Sequence, residues 1–176
     1  SFNPEKIQVD ALCNGKVSDR TPKDAINDAV LIDTAFPIDD SRPEWRQAVD
    51  GWLGSDLGRL YLIEKFNITD NLMTVVSSPE NICERPTESV PQFTSTLTDG
   101  IELFSGLYPI EIEFHSEHTM KEARILINDV FYRSVDLQEK KDGKVKAEFG
   151  ISGADGQNQV VTISVVDSYG YSSSRN

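Results

Sequence analysis

The second half of the chain is written in a period of two. In Pro109–Phe114, Ile110, Ile112 and Phe114 fall on one side of an extended backbone, and Glu111 and Glu113 fall on the other. Ala123, Ile125 and Ile127 alternate with Arg124, Leu126 and Asn128, and Val161, Ile163 and Val165 repeat the pattern near the end. Successive side chains of a strand point to opposite faces, so this alternation specifies strands with one dry face and one wet face. Asn128-Asp129 predicts a tight hairpin turn into a strand over Val130–Val135, and a further strand is expected over Val145–Phe149. Asp-Gly pairs at Asp99-Gly100, Asp142-Gly143 and Asp155-Gly156 read as additional turns. Short strands punctuated in this way predict an antiparallel, immunoglobulin-like β-sandwich over residues 94–176.

A break in composition precedes that region. Ser77–Phe93 holds Pro79, Pro86 and Pro91 among Ser, Glu and Thr, and proline both removes a donor and stiffens the backbone. The run reads as a linker over 77–93, which leaves a small α+β unit over 1–76. The expected fold class is therefore mainly β: a small α+β unit, then an antiparallel Ig-like sandwich. Within the first unit, Ile7, Val9, Ala11 and Cys13 alternate as a short strand that ends at Asn14-Gly15. Thr21-Pro22 looks like the capped start of a helix over Lys23–Ile32, because Ala25, Ile26, Ala29 and Val30 repeat at helical spacing. Ser41-Arg42-Pro43-Glu44 predicts a second helix start, and Gly54 its stop. Trp45 and Trp52 share one face of that helix, either to pack it onto its neighbours or to offer a sugar-stacking platform. Leu57–Phe66 is apolar without a clear period, and Leu72–Val76 suits a short strand.

The chain carries 17 basic and 29 acidic residues, a formal charge of −12. A nucleic acid would be repelled, since binding one requires clustered Lys and Arg to displace counterions. An anionic lipid surface is disfavoured for the same reason. No apolar run approaches the roughly 20 residues of a membrane-spanning helix, so membrane attachment is expected only through an N-terminal anchor upstream of Ser1. Cys13 and Cys83 sit beside turn-forming residues and in no C-x-x-C motif. A bridge between them is the expectation, with two separate buried thiols as the alternative. A bridge implies an oxidising, extracytoplasmic location.

Motifs for bond-making chemistry are scarce. The sequence has no G-x-S-x-G, S-x-x-K, H-E-x-x-H, phosphate-binding loop or G-x-G-x-x-G. Its two histidines, His115 and His118, lie near Glu113 and Glu117 but lack evident third and fourth metal ligands. Asp39-Asp40 and the Glu111/Glu113 pair have the residue type of glycosidase acids, though with 29 acids such pairs arise by chance. Asp142, Asp155, Asn158 and Asp167 match no calcium-loop spacing and read as turn residues. Asn67-Ile68-Thr69 is a formal glycosylation sequon. The expectation is a protein without enzyme activity or cofactor.

The order of features resembles the tail of a class A penicillin-binding protein, the bifunctional bacterial cell-wall synthase. Phe2, Pro4, Ile7, Cys13-Asn14-Gly15-Lys16 and Thr21-Pro22 are similar to the run that follows the transpeptidase domain in that family. Phe2 stands one residue closer to the proline than in the pattern. Pro91, Asp99-Gly100 and Val165-Val166-Asp167-Ser168-Tyr169-Gly170 are similar to its Ile/Val-rich sandwich domain, with Leu97-Thr98 in place of Ser-Pro before Asp-Gly. The resemblance implies an accessory, non-catalytic spacer or docking module of a peptidoglycan synthase, with the catalytic centres upstream. Peptidoglycan or cell-wall synthesis proteins are the implied partners. The alternative is a cell-surface adhesin or carbohydrate-binding module that uses Trp45 and Trp52.

Overall fold

The computed structural model describes residues 4–32, 43–68, 73–75, 77–97, 103–152 and 159–176. The chain is mainly β and divides into two compact units. The division falls between Cys83 and Glu84, inside the proline-rich run, and Pro22–Ala25 counts with the second unit. Residues 78–91 of that run form no regular secondary structure.

The first unit contains a four-stranded sheet and two helices. Its strands are β1 (Glu5–Asp10), β2 (Gly15–Lys16), β3 (Ile26–Leu31) and β4 (Thr74–Val75), in the order β2-β1-β3-β4. The β1–β3 pair is antiparallel over six residues, and β4 joins β3 in parallel. The helix expected over Lys23–Ile32 is thus a single 3₁₀ turn, Lys23–Ala25, followed by a strand. Two contacts explain the difference. The Thr21 hydroxyl does not cap a helix, because it donates to buried Asp10 Oδ2 (2.9 Å) and accepts from the Ser18 amide (3.0 Å). The apolar residues at helical spacing also serve a strand, since Ala29 and Val30 are buried once β3 lies against β1. Tertiary pairing overrides the local period.

Helix α1 (Pro43–Leu53) starts at the expected proline and ends before Gly54; the proposed cap Ser41 lies outside the described residues. Leu57–Phe66 resolves into α2 (Asp56–Phe66), whose N-terminus is capped by Ser55 Oγ accepting from the Gly58 amide (3.2 Å). Asn67 closes α2 in the left-handed conformation, φ 49°. Leu62 of α2 meets Val30, Ile32 and Ile68 in the small core of this unit.

The second unit is a two-sheet sandwich. One sheet holds β5 (Gln92–Ser95), β6 (Gly106–His115) and β9 (Asp142–Ile151), in that order. The other holds β7 (Met120–Ile127), β8 (Val130–Asp136), β10 (Val161–Asp167) and β11 (Ser172–Arg175), in the order β11-β10-β7-β8. Every pairing is antiparallel, and the chain changes sheets between β6 and β7, β8 and β9, and β9 and β10. This is the immunoglobulin-like architecture the alternation specified. Ile110, Ile112 and Phe114 face Ala123, Ile125, Ile163 and Val165 across the core, with Phe149 fully buried and stacked 5.6 Å from Tyr108.

Turns account for a further difference. Asn128 and Asp129 both adopt positive φ (53° and 64°), so a two-residue turn joins Ile127 to its partner Val130. Asp142-Gly143, read as a turn, instead begins β9, opposite His115 and Phe114. The reversal lies just before it, where Gln138 and Glu139 take positive φ (57° and 55°) and Leu137 is buried as an anchor. Asp99-Gly100 and Asp155-Gly156 lie outside the described residues.

Candidate functional site

The two cysteines form a disulfide, with Cα atoms 5.7 Å apart. It ties the β1–β2 turn to the last residue of the first unit. Beside it the Lys16 amide donates to the Asn81 carbonyl (2.7 Å). A Cβ on Gly15 would stand 2.5 Å from that carbonyl and 2.8 Å from Cys13 Sγ, so only glycine fits under the bridge. Among the described residues no helix is long and apolar enough to cross a membrane.

Trp45 lies on α1, and its side chain is outside the described residues. Trp52 is half-buried and meets the exposed Tyr61 ring edge-on, 5.6 Å between centroids. The histidines have separate partners: His115 Nδ1 bonds Asp142 Oδ1, whereas His118 Nε2 bonds the Thr87 carbonyl (3.1 Å). His118 also packs against Tyr169 and Tyr171, at 5.2 and 6.1 Å. Among the described residues no group of three or more His, Cys, Asp or Glu side chains is placed to hold a metal. Glu113 pairs with Lys144 (3.3 Å), and Glu111 lies opposite Lys146 in register. These two acids therefore line the wet face of β6 beside lysines of β9.

The side chains at one end of the sandwich hold down the segment that follows Cys83. Arg85 Nε donates to the Tyr169 carbonyl (2.9 Å), Tyr171 Oη donates to the Pro86 carbonyl (3.0 Å), and His118 bonds Thr87. At the centre of this end is Asp167, 1% exposed. Its Oδ1 accepts the amides of Tyr169 (2.8 Å) and Tyr171 (2.9 Å), while Oδ2 is buried without a hydrogen-bond partner. Burial pushes the Asp167 carboxyl above its usual range; the Tyr169 and Tyr171 amides, the charge of His118 and the Gly170 amide oppose that rise. Gly170, at φ 92°, closes the turn against Ala25, leaving no room for a Cβ.

Asp24, from the Lys23–Ala25 turn, is held by side chains of β7 and β11. Arg124 Nη1 bonds Asp24 Oδ1 (3.0 Å) and its guanidinium also grips Glu122 (2.6 Å), while Ser172 Oγ donates to Asp24 Oδ2 (2.6 Å).

Three consecutive exposed apolar residues lie along β8. Val130, Phe131 and Tyr132 are 68%, 60% and 44% exposed, and Arg133 and Ser134 are exposed as well. β8 is the last strand of its sheet and pairs along its main chain with β7 alone among the described residues. A one-residue shift opposite Leu126 leaves Tyr132 as an extra residue in β8. The Tyr132 hydroxyl accepts the Gly150 amide of β9 (3.1 Å), and exposed Leu107 also lies beside Gly150. Arg133 Nη1 reaches the Glu148 carbonyl (3.3 Å). The Asn128-Asp129 turn marked Val130–Val135 as a strand, but the sequence could not place that strand at a sheet edge.

Comparison with known proteins finds no match: no family model, no curated protein and no solved structure.

Proposed function

We propose that this chain is a non-catalytic, extracytoplasmic spacer and docking module of a bacterial peptidoglycan synthase, presenting β8 as its contact surface. The Cys13–Cys83 bridge carries the reading. It belongs to an oxidising compartment, and it involves the Cys13-Asn14-Gly15-Lys16 run that resembles the class A penicillin-binding proteins. The absence of bond-making chemistry in the proposal is supported by what the titratable groups do instead. His115 is taken by Asp142, His118 by a carbonyl and Glu113 by Lys144.

The test is co-sedimentation of the purified chain with isolated cell-wall sacculi, alongside capture by a transpeptidase domain of a class A synthase. Association with either one, without release of wall fragments, is the expected result. Binding to neither, or release of soluble fragments from the wall, would remove the reading.

A second reading has one observation in its favour. Trp52 and Tyr61 form a partly exposed aromatic pair, the kind of surface on which a sugar ring stacks. Sacculus binding that disappears in Trp52→Ala, with the fold intact by circular dichroism, would assign glycan binding to the first unit.

A further inference from the structure

We infer that residues 84–91 form a strap fastened to one end of the sandwich by a proton-dependent latch, His118, which grips when protonated and slackens when neutral. The inference concerns the second unit alone and is independent of the wall assignment.

The way the strap is attached carries it. Residues 84–91 form no regular secondary structure, and Pro86 and Pro91 have no amide to donate. Among the described residues no main-chain hydrogen bond joins this segment to a strand. Side chains hold it instead. Arg85 Nε donates to the Tyr169 carbonyl (2.9 Å) and Tyr171 Oη to the Pro86 carbonyl (3.0 Å). His118 Nε2 bonds the Thr87 carbonyl (3.1 Å), and Ser173 Oγ donates to the Pro91 carbonyl (2.6 Å). Of these four residue types, only histidine ordinarily changes charge between about pH 5 and 8. One fastening in four is therefore built to respond to protons.

The surroundings of His118 set the direction of the response. A carbonyl only accepts, so Nε2 carries a hydrogen, and a charged donor makes roughly twice the bond of a neutral one. The imidazole packs against Tyr169 and Tyr171, whose amides both bond Asp167 Oδ1. Asp167 Oδ2 is buried there without a hydrogen-bond partner, and the charge of His118 opposes the rise that burial imposes on this carboxyl. The loop of His118 itself adds Glu117, and the strap adds Glu84, Arg85 and Glu88. The β8–β9 connection adds Lys140 and Lys141, whose carbonyls accept the Met120 and Ser116 amides on either side of His118. Glu84, Glu88 and Glu117 are exposed, so solvent screens them, whereas Asp167 is 1% exposed. With both groups charged, the imidazolium offsets the buried carboxylate and grips Thr87. Loss of the imidazole proton on raising the pH removes that attraction and weakens the bond to the strap together.

Limited digestion of the whole chain with a glutamate-specific protease tests the latch. Glu88 is exposed, but cleavage after it needs the strap to lift away from the sandwich. The rate of that cut, identified by mass spectrometry, is divided by the rate for a free peptide of residues 84–91 at the same pH. This removes the pH dependence of the protease. The wild-type ratio is expected to rise about fivefold between about pH 5.5 and 8, the difference between a charge-assisted and a neutral hydrogen bond. His118→Gln keeps an N–H donor and cannot take a charge, so its ratio is expected to stay level. His115→Gln removes the other histidine and is expected to leave the wild-type rise intact. The Thr87 carbonyl carbon, followed by NMR, is expected to shift in step with the His118 ring. Circular dichroism spectra matching wild type at both ends of the range verify each fold. A wild-type ratio that ignores pH would overturn the inference. So would an equal rise in His118→Gln, loss of the rise in His115→Gln, or a Thr87 carbon that does not follow His118.

Discussion

Asp167 has two carboxylate oxygens in different circumstances: Oδ1 holds the β10–β11 turn through two amides, and Oδ2 is buried with no partner. Burying a charged oxygen without a bond is costly, and the raised carboxyl pKa expresses that cost. The folded chain therefore keeps this proton to a higher pH than the unfolded chain does. Below the unfolded value of 3.8 both states are protonated and Asp167 imposes no ionisation penalty. As pH rises from there through the folded pKa, the unfolded state ionises first and stability falls. Asp167→Asn retains an oxygen for the two amides and cannot ionise. The stability of wild type relative to Asp167→Asn is thus expected to decline as pH increases across that window, in urea titrations at a series of pH values. A difference that stays flat, or grows with pH, would contradict the buried, uncompensated carboxylate. Little of this was legible in the sequence. Asp167 reads as a turn residue, and only the packing shows which of its oxygens is stranded.

At the scale of elements, the β8–β9 connection runs against local preference. Gln138 and Glu139 both hold the left-handed backbone conformation, although neither is Gly, Asn or Asp. Each such residue costs on the order of 1 kcal/mol, offset by the buried Leu137 and by the Gln138 amide bonding Asp136 Oδ1 (2.7 Å). Glu139→Gly is expected to raise stability by up to about 1 kcal/mol, less whatever the freer unfolded chain takes back. A thermal melt that moves down instead would show that Glu139 makes a contact worth more than its strain. The contrast with Asn128-Asp129 explains what could be read beforehand. That turn announces its conformation in its residue types, so the hairpin and both flanking strands were legible. At 138–139 the tertiary path imposes the turn on ordinary residues, and the nearby Asp142-Gly143 offers a false signal. The same asymmetry governs the first unit. Ala25, Ile26, Ala29 and Val30 fit a helix by spacing, and only the distant partner β1, together with the claim of Asp10 on Thr21, makes the segment a strand. The apolar side chains of β8 were visible, but their exposure depends on which strand ends the sheet.

At the scale of the whole molecule, the bridge and the sandwich stabilise different parts of the chain. Cys13 and Cys83 are 70 residues apart and both lie in the first unit. Closing a loop of that length removes unfolded-state freedom worth about 4 kcal/mol, while the sandwich core contains no cysteine. Reduction, or Cys13→Ser with Cys83→Ser, is expected to lower the calorimetric transition of the first unit and leave that of the second in place. A single transition that shifts as a whole would show that the two units unfold together. The units are nevertheless not consecutive along the gene. Pro22–Ala25 belongs with Glu84–Asn176, so no single cut separates them. A clone starting at Glu84 would encode Arg124 and Ser172 but omit Asp24, the acid to which both bond. Anyone trimming the protein for crystallisation or display must graft those four residues back or keep the coding sequence whole.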